Sequence, residues 1–406
     1  MALTWQQPLP PIYNQLSDVE LRIRIQAAKQ RLGAQLVILG HHYQQDDVLD
    51  FADYSGDSFE LSRKAASHQG AKYVIFCGVH FMAESADILT DPSVRVILPD
   101  MGAGCSMADM ANLDQTLDCW AQLDEACPNQ RIIPITYINS TAAIKAFVGQ
   151  HGGAVCTSSN CRKVLEWALS QGTGGAEGTE GTGGIGGAGG NGDIEGIGGA
   201  AGAGGNRGAH QPVKILFFPD QHLGRNTAFE MGYPLNQMLV WDPTQPYGGH
   251  SEAQLRDARF ILWKGHCSVH QLFRPEHVDQ ARAKYPGVTV MVHPECSWEV
   301  VQKADLSGST AKIVKTVQAA PAGSIWSIGT EVHLVTRLAK QNPDKKIYIL
   351  SDCQCLCTTM YRIDLPHLCW AIENLAEGTI VNEVKVDPET RQHATLALNR
   401  MLEISK

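Results

Sequence analysis

Three cysteines distant from one another in the chain, Cys105, Cys267 and Cys357, occupy the same kind of position. Each follows a strand-like run and lies in a Gly- or Cys-rich turn: VRVILPDMGAGCSMADM, FILWKGHCSVH and KIYILSDCQCLCTTM. In open α/β proteins, ligands bind at the carboxyl ends of strands. Three thiolates gathered there could hold an iron–sulfur cluster by three corners, leaving a fourth metal open for chemistry. The separations are far longer than the CxxC spacing of zinc ribbons. The case therefore rests on the segments around the cysteines.

Other strand-like runs also end in reactive side chains. His41, His42 and Tyr43 close the first run. His80 and Glu84 follow the second, and Tyr137 and Asn139 end ITYIN. Thr157, Ser158 and Ser159 end the next; His293 and Glu295 close VMVHPE; Glu331 and His333 follow SIGT. Taken singly, a strand-end His is more often a packing residue, and a Ser or Thr there is usually a helix N-cap. Their joint occurrence at so many carboxyl ends is what a shared polar cavity requires. Asp57-Ser58, Ser158 and Ser309-Thr310 each precede a helical pattern, where free N–H groups can hold a phosphate. No GxGxxG follows a strand and no P-loop is present, so a bound nucleotide is not indicated. Cys353, Cys355 and Cys357 form a CxCxC cluster that could combine one metal ligand with two spare thiols, or make a thiol–disulfide switch. The remaining cysteines read as small buried residues.

The elements that must position these groups repeat one pattern. Short β-branched or apolar runs alternate with amphipathic stretches such as DVELRIRIQAAKQRL, which argues for parallel sheets faced by helices. Ten to twelve such units exceed one doubly wound sheet. The expectation is an α/β protein of three similar small three-layer domains, with parallel sheets in pseudo-threefold arrangement around a central site; a TIM barrel is the alternative. The expected boundaries are 18–125 (supplying Cys105), 126–266, 267–357 (Cys267 at its start, Cys357 at its end) and a helical segment, 358–406, returning to the core. Residues 171–210 hold nearly half of the chain's 39 glycines. They read as a disordered surface loop inserted between a helix and a strand, with an interdomain linker as the rival. A net charge of −9 without a dense basic run argues against nucleic-acid binding. No signal-peptide pattern and no long apolar window are seen, so a cytoplasmic protein with reduced thiols is expected, without membrane association.

The motifs GHHYQ, GDS, CGVHFMAESADIL, LPDMGAGCSMAD, ITYINST, CTSSN, FPDQHLGRNTA, WKGHCSVH, HPEC, GST, GTEVHLV and CLCTTMYRI resemble, in order, those of the quinolinate synthases, and of their longer-chain branch in particular. The resemblance spans roughly Leu36 to Leu402 apart from the Gly-rich stretch. It implies one [4Fe–4S] cluster on Cys105, Cys267 and Cys357, with Cys355 as the fallback third ligand. It implies condensation of iminoaspartate with dihydroxyacetone phosphate to quinolinate, with loss of phosphate and two waters. By motif, His41 and Tyr43 would contact substrate, with Tyr43 moving a proton. Ser58, Ser158, Ser309 and Thr310 would bind phosphate or carboxylate oxygens, and Tyr137 and Asn139 would hold the dicarboxylate. His293 would orient the triose and Glu295 would act as general base. His42 receives no role. An aspartate oxidase or dehydrogenase would supply the unstable imine. The competing readings are another cluster-dependent dehydratase and a non-catalytic phosphometabolite or iron sensor.

Overall fold

A computed structural model describes residues 6–67, 70–172, 212–352 and 355–406. The expected Gly-rich loop, from residue 173 onwards, and Cys353 lie outside the described residues. Fourteen strands are found among the described residues, in three sheets. The first contains β1 (Leu36–His41), β2 (Tyr54–Gly56), β3 (Tyr73–Cys77) and β4 (Arg95–Ile97). The second contains β5 (Ile132–Tyr137), β6 (Ala154–Cys156), β7 (Lys214–Phe218), β8 (Met238–Trp241) and β9 (Phe260–Trp263). The third contains β10 (Thr289–Val292), β11 (Leu306–Ser307), β12 (Ile325–Gly329) and β13 (Lys346–Ile349). A last strand, β14 (Glu383–Val384), returns to the first sheet. All pairings are parallel except β14 with β4, which is antiparallel. The central strands are buried along nearly their whole length, β1 as LVILGH and β7 as KILFF. Continuous apolar runs of this kind mark strands covered on both faces by helices.

The spatial orders are β14-β4-β3-β1-β2, β6-β5-β7-β9-β8 and β11-β10-β12-β13. In each sheet the first strand therefore lies between the second and the third. This order creates a switch point at the carboxyl ends of the first and third strands, where a crevice opens. The sheets are separate and open, which rules out a closed barrel.

The C-terminal segment ties these units together. Helix Leu365–Ala376 packs on helix Asp18–Leu32, and helix Pro388–Ile404 packs on helix Ala142–Gln150 of the second unit. The second contact requires Gly149: a Cβ there would lie 2.0 Å from the carbonyl oxygen of His393. Because the obstacle is backbone, the helices must part to accept a side chain. Gly149→Ala is expected to lower the unfolding free energy by about 1–3 kcal/mol, read by chemical denaturation. Unchanged stability would mean that the helices are not held this closely.

Candidate active site

The three sheets supply equivalent residues to one cavity. The end of each first strand gives a pair spaced i, i+2: His41 and Tyr43, Tyr137 and Asn139, His293 and Glu295. The turn after each second strand gives a hydroxyl at the start of a helical segment: Ser58, Ser158 and Thr310. The loop after the strand in fourth position (β4, β9, β13) gives a cysteine: Cys105, Cys267 and Cys357. All of these line the same cavity, together with apolar side chains that include Phe59, Phe81, Met82, Met107 and Val269.

Ser309, expected among the contact residues, is not part of that lining. It is the N-cap of helix Thr310–Ala319, and its side chain accepts from the backbone N–H of Lys312 at 3.3 Å. A free hydroxyl at a helix start has two uses, capping and ligand contact; here Ser309 caps and Thr310 faces inward. Cys355 is fully buried in an apolar cluster with Phe273, Val290 and Val292 and is not part of the lining, whereas Cys357 is.

The centre of the polar network is Glu295, 3% exposed. One of its oxygens, Oε2, lies 2.9 Å from His270 Nδ1 and 3.0 Å from His293 Nδ1. The two imidazoles stack with centroids 4.5 Å apart. Burial works against ionisation of Glu295, but the imidazoles outweigh it and hold the carboxyl well below its usual range. Burial, reinforced by His270, pushes His293 down. His293 Nε2 reaches Ser158 Oγ at 3.2 Å, and His270 Nε2 reaches Thr330 Oγ1 at 3.2 Å. Tyr43 Oη lies 2.9 Å from Thr330 Oγ1 and 3.0 Å from Thr310 Oγ1. Burial raises the Tyr43 phenol well above its ordinary value, with Glu295 adding to the effect. Asp57 caps the Ser58 helix by accepting from the N–H groups of Phe59 and Glu60, and accepts from Ser159 Oγ at 2.8 Å. Asn139 Oδ1 and Glu295 Oε1 are buried without a hydrogen-bond partner. Orphaned acceptors in a cavity are what a bound ligand with donors would complete.

His270 and Thr330 are central here but were not singled out by sequence. His270 carried a signal, since it stands three residues after Cys267 within WKGHCSVH. Thr330 carried none, because its partner Tyr43 is remote in sequence. Glu331, also noted at a strand end, is fully buried and serves as a cap, its side chain accepting from the N–H groups of His333 and Leu334.

The cysteine turns share a local design. Cys105 receives hydrogen bonds from the N–H groups of Ala108 and Met107, Cys267 from that of His270, and Cys357 from those of Met360 and Thr359. Each sulfur thus faces donors two or three residues ahead in a helical turn, which favours the thiolate. Burial opposes this, raising Cys105 to about 12, Cys267 well above its ordinary value and Cys357 upward. Thiolates at these positions need a cation nearby. The three sulfurs, with their N–H donors, suit iron–sulfur ligation. Cys267, His270 and Glu295 also place one ligand atom each within 4.8 Å of one another. The donor set is therefore compatible with a metal site.

Comparison with known proteins agrees with this geometry. The model of the family "NadA: Quinolinate synthetase A protein" matches residues 23–174 and 207–403. The chain belongs to the quinolinate synthase family. It is 53% identical over 395 residues to the quinolinate synthase of Nocardioides sp., covering 97% of this chain and 91% of the relative. It is 54% identical over 395 residues to that of Acidobacterium capsulatum, covering 97% and 95%. The quinolinate synthase of Geobacillus sp. is 47% identical over 397 residues, covering 98% and 97%. The chain is accordingly an enzyme of this type. The family match breaks between residues 174 and 207, within the Gly-rich stretch. No described helix is long and apolar enough to cross a membrane.

Burial also gives the site a pH dependence. It holds His41 down to about 3 and His42 to about 4, from 6.5. The unfolded chain therefore binds more protons than the folded one between pH 6.5 and 4. Stability from these groups is full above pH 6.5 and is lost as the pH falls towards 4. Between pH 7 and pH 5, the wild type is expected to lose about 1–2 kcal/mol more unfolding free energy than His42→Gln. Equal losses in denaturation curves at the two pH values would exclude His42 as a contributor.

Proposed function

We propose that this chain makes quinolinate from iminoaspartate and dihydroxyacetone phosphate, releasing phosphate and two waters, as a cytoplasmic step of NAD biosynthesis. The observation that carries the reading is the meeting of three turn cysteines with the Tyr43, His293 and Glu295 network in one buried cavity. Cys105, Cys267 and Cys357 would hold a [4Fe–4S] cluster. When bound, a cluster with three protein ligands offers one open iron as a Lewis acid, which eases loss of hydroxide without net redox change.

The chain's own residues supply the rest. Ser58 and Thr310 at helix starts, and Ser158 in the turn before helix Cys161–Ser170, present hydroxyl donors to phosphate or carboxylate oxygens. Ser309 holds Thr310 in place by capping its helix. Tyr137 and Asn139, the latter through its amide N–H groups, receive the dicarboxylate, and His41 closes one wall. His293, fixed between Glu295 and Ser158, orients the triose. Glu295 is the base for isomerisation and deprotonation. A proton it takes is shared with His293 and His270, so the site need not hold it on an isolated buried carboxyl. Tyr43, protonated well past neutrality, gives a proton to a departing hydroxyl. The apolar lining keeps water from an imine that hydrolyses readily. An aspartate oxidase or dehydrogenase must supply that imine.

Anaerobic reconstitution with iron and sulfide, followed by assay with dihydroxyacetone phosphate and freshly generated iminoaspartate, tests the reading. About four irons per chain and quinolinate as product are expected. A full cluster without quinolinate would move the chemistry to another dehydration. Replacement of Cys105, Cys267 or Cys357 by Ala should abolish a stable cluster, whereas Cys355→Ala should retain it. Iron content and electron paramagnetic resonance separate these outcomes, and cluster loss only in Cys355→Ala would reverse the assignment. Glu295→Gln should lower kcat by about 10²–10⁴-fold with the cluster intact.

A further inference from the structure

The loop that carries Tyr43 is gripped from outside the cavity by a side chain that touches none of the proposed reacting groups. Arg337 lies on helix Val332–Gln341 of the third unit and is only 13% exposed. Its Nε donates to Asp46 Oδ1 at 2.7 Å, its Nη1 to the His42 carbonyl at 2.8 Å, and its Nη2 to the Gln44 carbonyl. The two carbonyls are those of the residues on either side of Tyr43. Lys340, one turn further on, adds a contact to Asp46 Oδ2 at 2.9 Å.

The other end of the same element meets the Tyr43 phenol. Thr330, directly before Glu331 and the helix, lies 2.9 Å from Tyr43 Oη. The helix is fixed by its Glu331 cap and by buried Leu334, Val335 and Leu338. Thr330, just before the helix, and Arg337, within it, thus bear on the hydroxyl and on the backbone of Tyr43, with Thr310 as the hydroxyl's second partner. The planar guanidinium directs its N–H groups to three separate acceptors, a geometry that a lysine ammonium cannot reproduce.

We propose that Arg337 is a positioning residue: by holding the carbonyls on both sides of Tyr43, it places the phenol for proton transfer. This rests on the reading of Tyr43 as the proton donor, so Tyr43→Phe is measured in parallel. A displacement of about 1 Å can lower turnover by about 10²-fold. Reconstituted Arg337→Ala is expected to lose kcat by roughly 30- to 100-fold, with KM for the triose phosphate within about threefold of wild type. Iron content should stay unchanged, the thermal midpoint should fall without loss of the folded state at assay temperature, and added guanidinium ion should restore part of kcat. Arg337→Lys should fold and load iron fully yet lose kcat by about 5- to 10-fold. The proposal is overturned if Arg337→Ala keeps its kcat, or if its activity and iron content fall together without guanidinium rescue. Should Arg337→Ala not fold, full kcat in Arg337→Lys overturns it. Wild-type kcat in Tyr43→Phe would instead remove the Tyr43 reading, and the proposal's route through it, whatever Arg337 shows.

Discussion

A carboxylate buried to 3% exposure between two imidazoles is the constraint on which this site turns. Moving an ion of this kind out of water costs several kcal/mol unless charge and hydrogen bonds replace the lost hydration. Glu295 obtains that replacement from residues it cannot reach within its own sheet alone. His293 is its near neighbour, but His270 comes from the turn that follows the second sheet. Each imidazole then needs a partner of its own, and finds Ser158 and Thr330. Tyr43 of the first unit completes the chain through Thr330 and Thr310. Asp57 and Ser159 link the first unit to the second. The network around this one carboxylate therefore draws on all three units, and the site exists only where they meet.

The threefold repetition explains how such a meeting is built. In each sheet the same strand order opens a crevice at the same carboxyl end. The first strand provides an i, i+2 pair whose two side chains enter the cavity. The second provides a hydroxyl in the turn that leads into a helix, and the fourth-position strand provides the cysteine turn. One unit alone presents one of the three cysteines and one of the three hydroxyl turns that line the cavity. Divergence within the repeated positions supplies the difference in chemistry. The first-strand pair is His and Tyr in one unit, Tyr and Asn in another, His and Glu in the third.

How much of this was legible in the sequence follows from the same physics. The strand-like runs read in the sequence became β1, β3, β4, β5, β6, β7, β9, β10, β12 and β13. The four strands that went unnoticed, β2, β8, β11 and β14, all lie at sheet edges. Tyr54–Gly56, Leu306–Ser307 and Glu383–Val384 are too short or polar to show the apolar run that marks a central strand, whereas β8, MLVW, carries such a run and was passed over. Strand ends with reactive residues were legible because polar groups at the close of apolar runs are conspicuous. Thr330 and Arg337 were not. Their significance lies in contacts with a loop nearly 300 positions away, and no local pattern encodes a contact of that range. Ser309 shows the opposite limit: a Ser-Thr pair at a helix start does not reveal which hydroxyl caps and which faces the cavity.

The cysteine turns bring these arguments to one point. Cys355 and Cys357 are two residues apart, and composition does not choose between them. The structure separates them by environment. Cys355 is fully buried inside an apolar cluster that Cys357, lining the cavity, only borders. Cys357 stands at the start of a turn whose Thr359 and Met360 N–H groups face its sulfur. The same spacing of sulfur and donors recurs at Cys105 and, in part, at Cys267. In all three turns a Ser or Thr follows the cysteine: Cys105-Ser106, Cys267-Ser268 and Cys357-Thr358. Cys156 and Cys296, followed by Thr157 and Ser297, share the hydroxyl neighbour but do not themselves line the cavity, so it is position at the cavity that sets these three turns apart, and Cys355 is not in its lining. The turn after Cys357 is also tied to the Tyr43 loop, since the Gln44 amide donates to the Met360 carbonyl and the Gln45 amide to those of Tyr361 and Ile363. The segment that holds the third sulfur and the segment that holds the phenol are therefore positioned by one another.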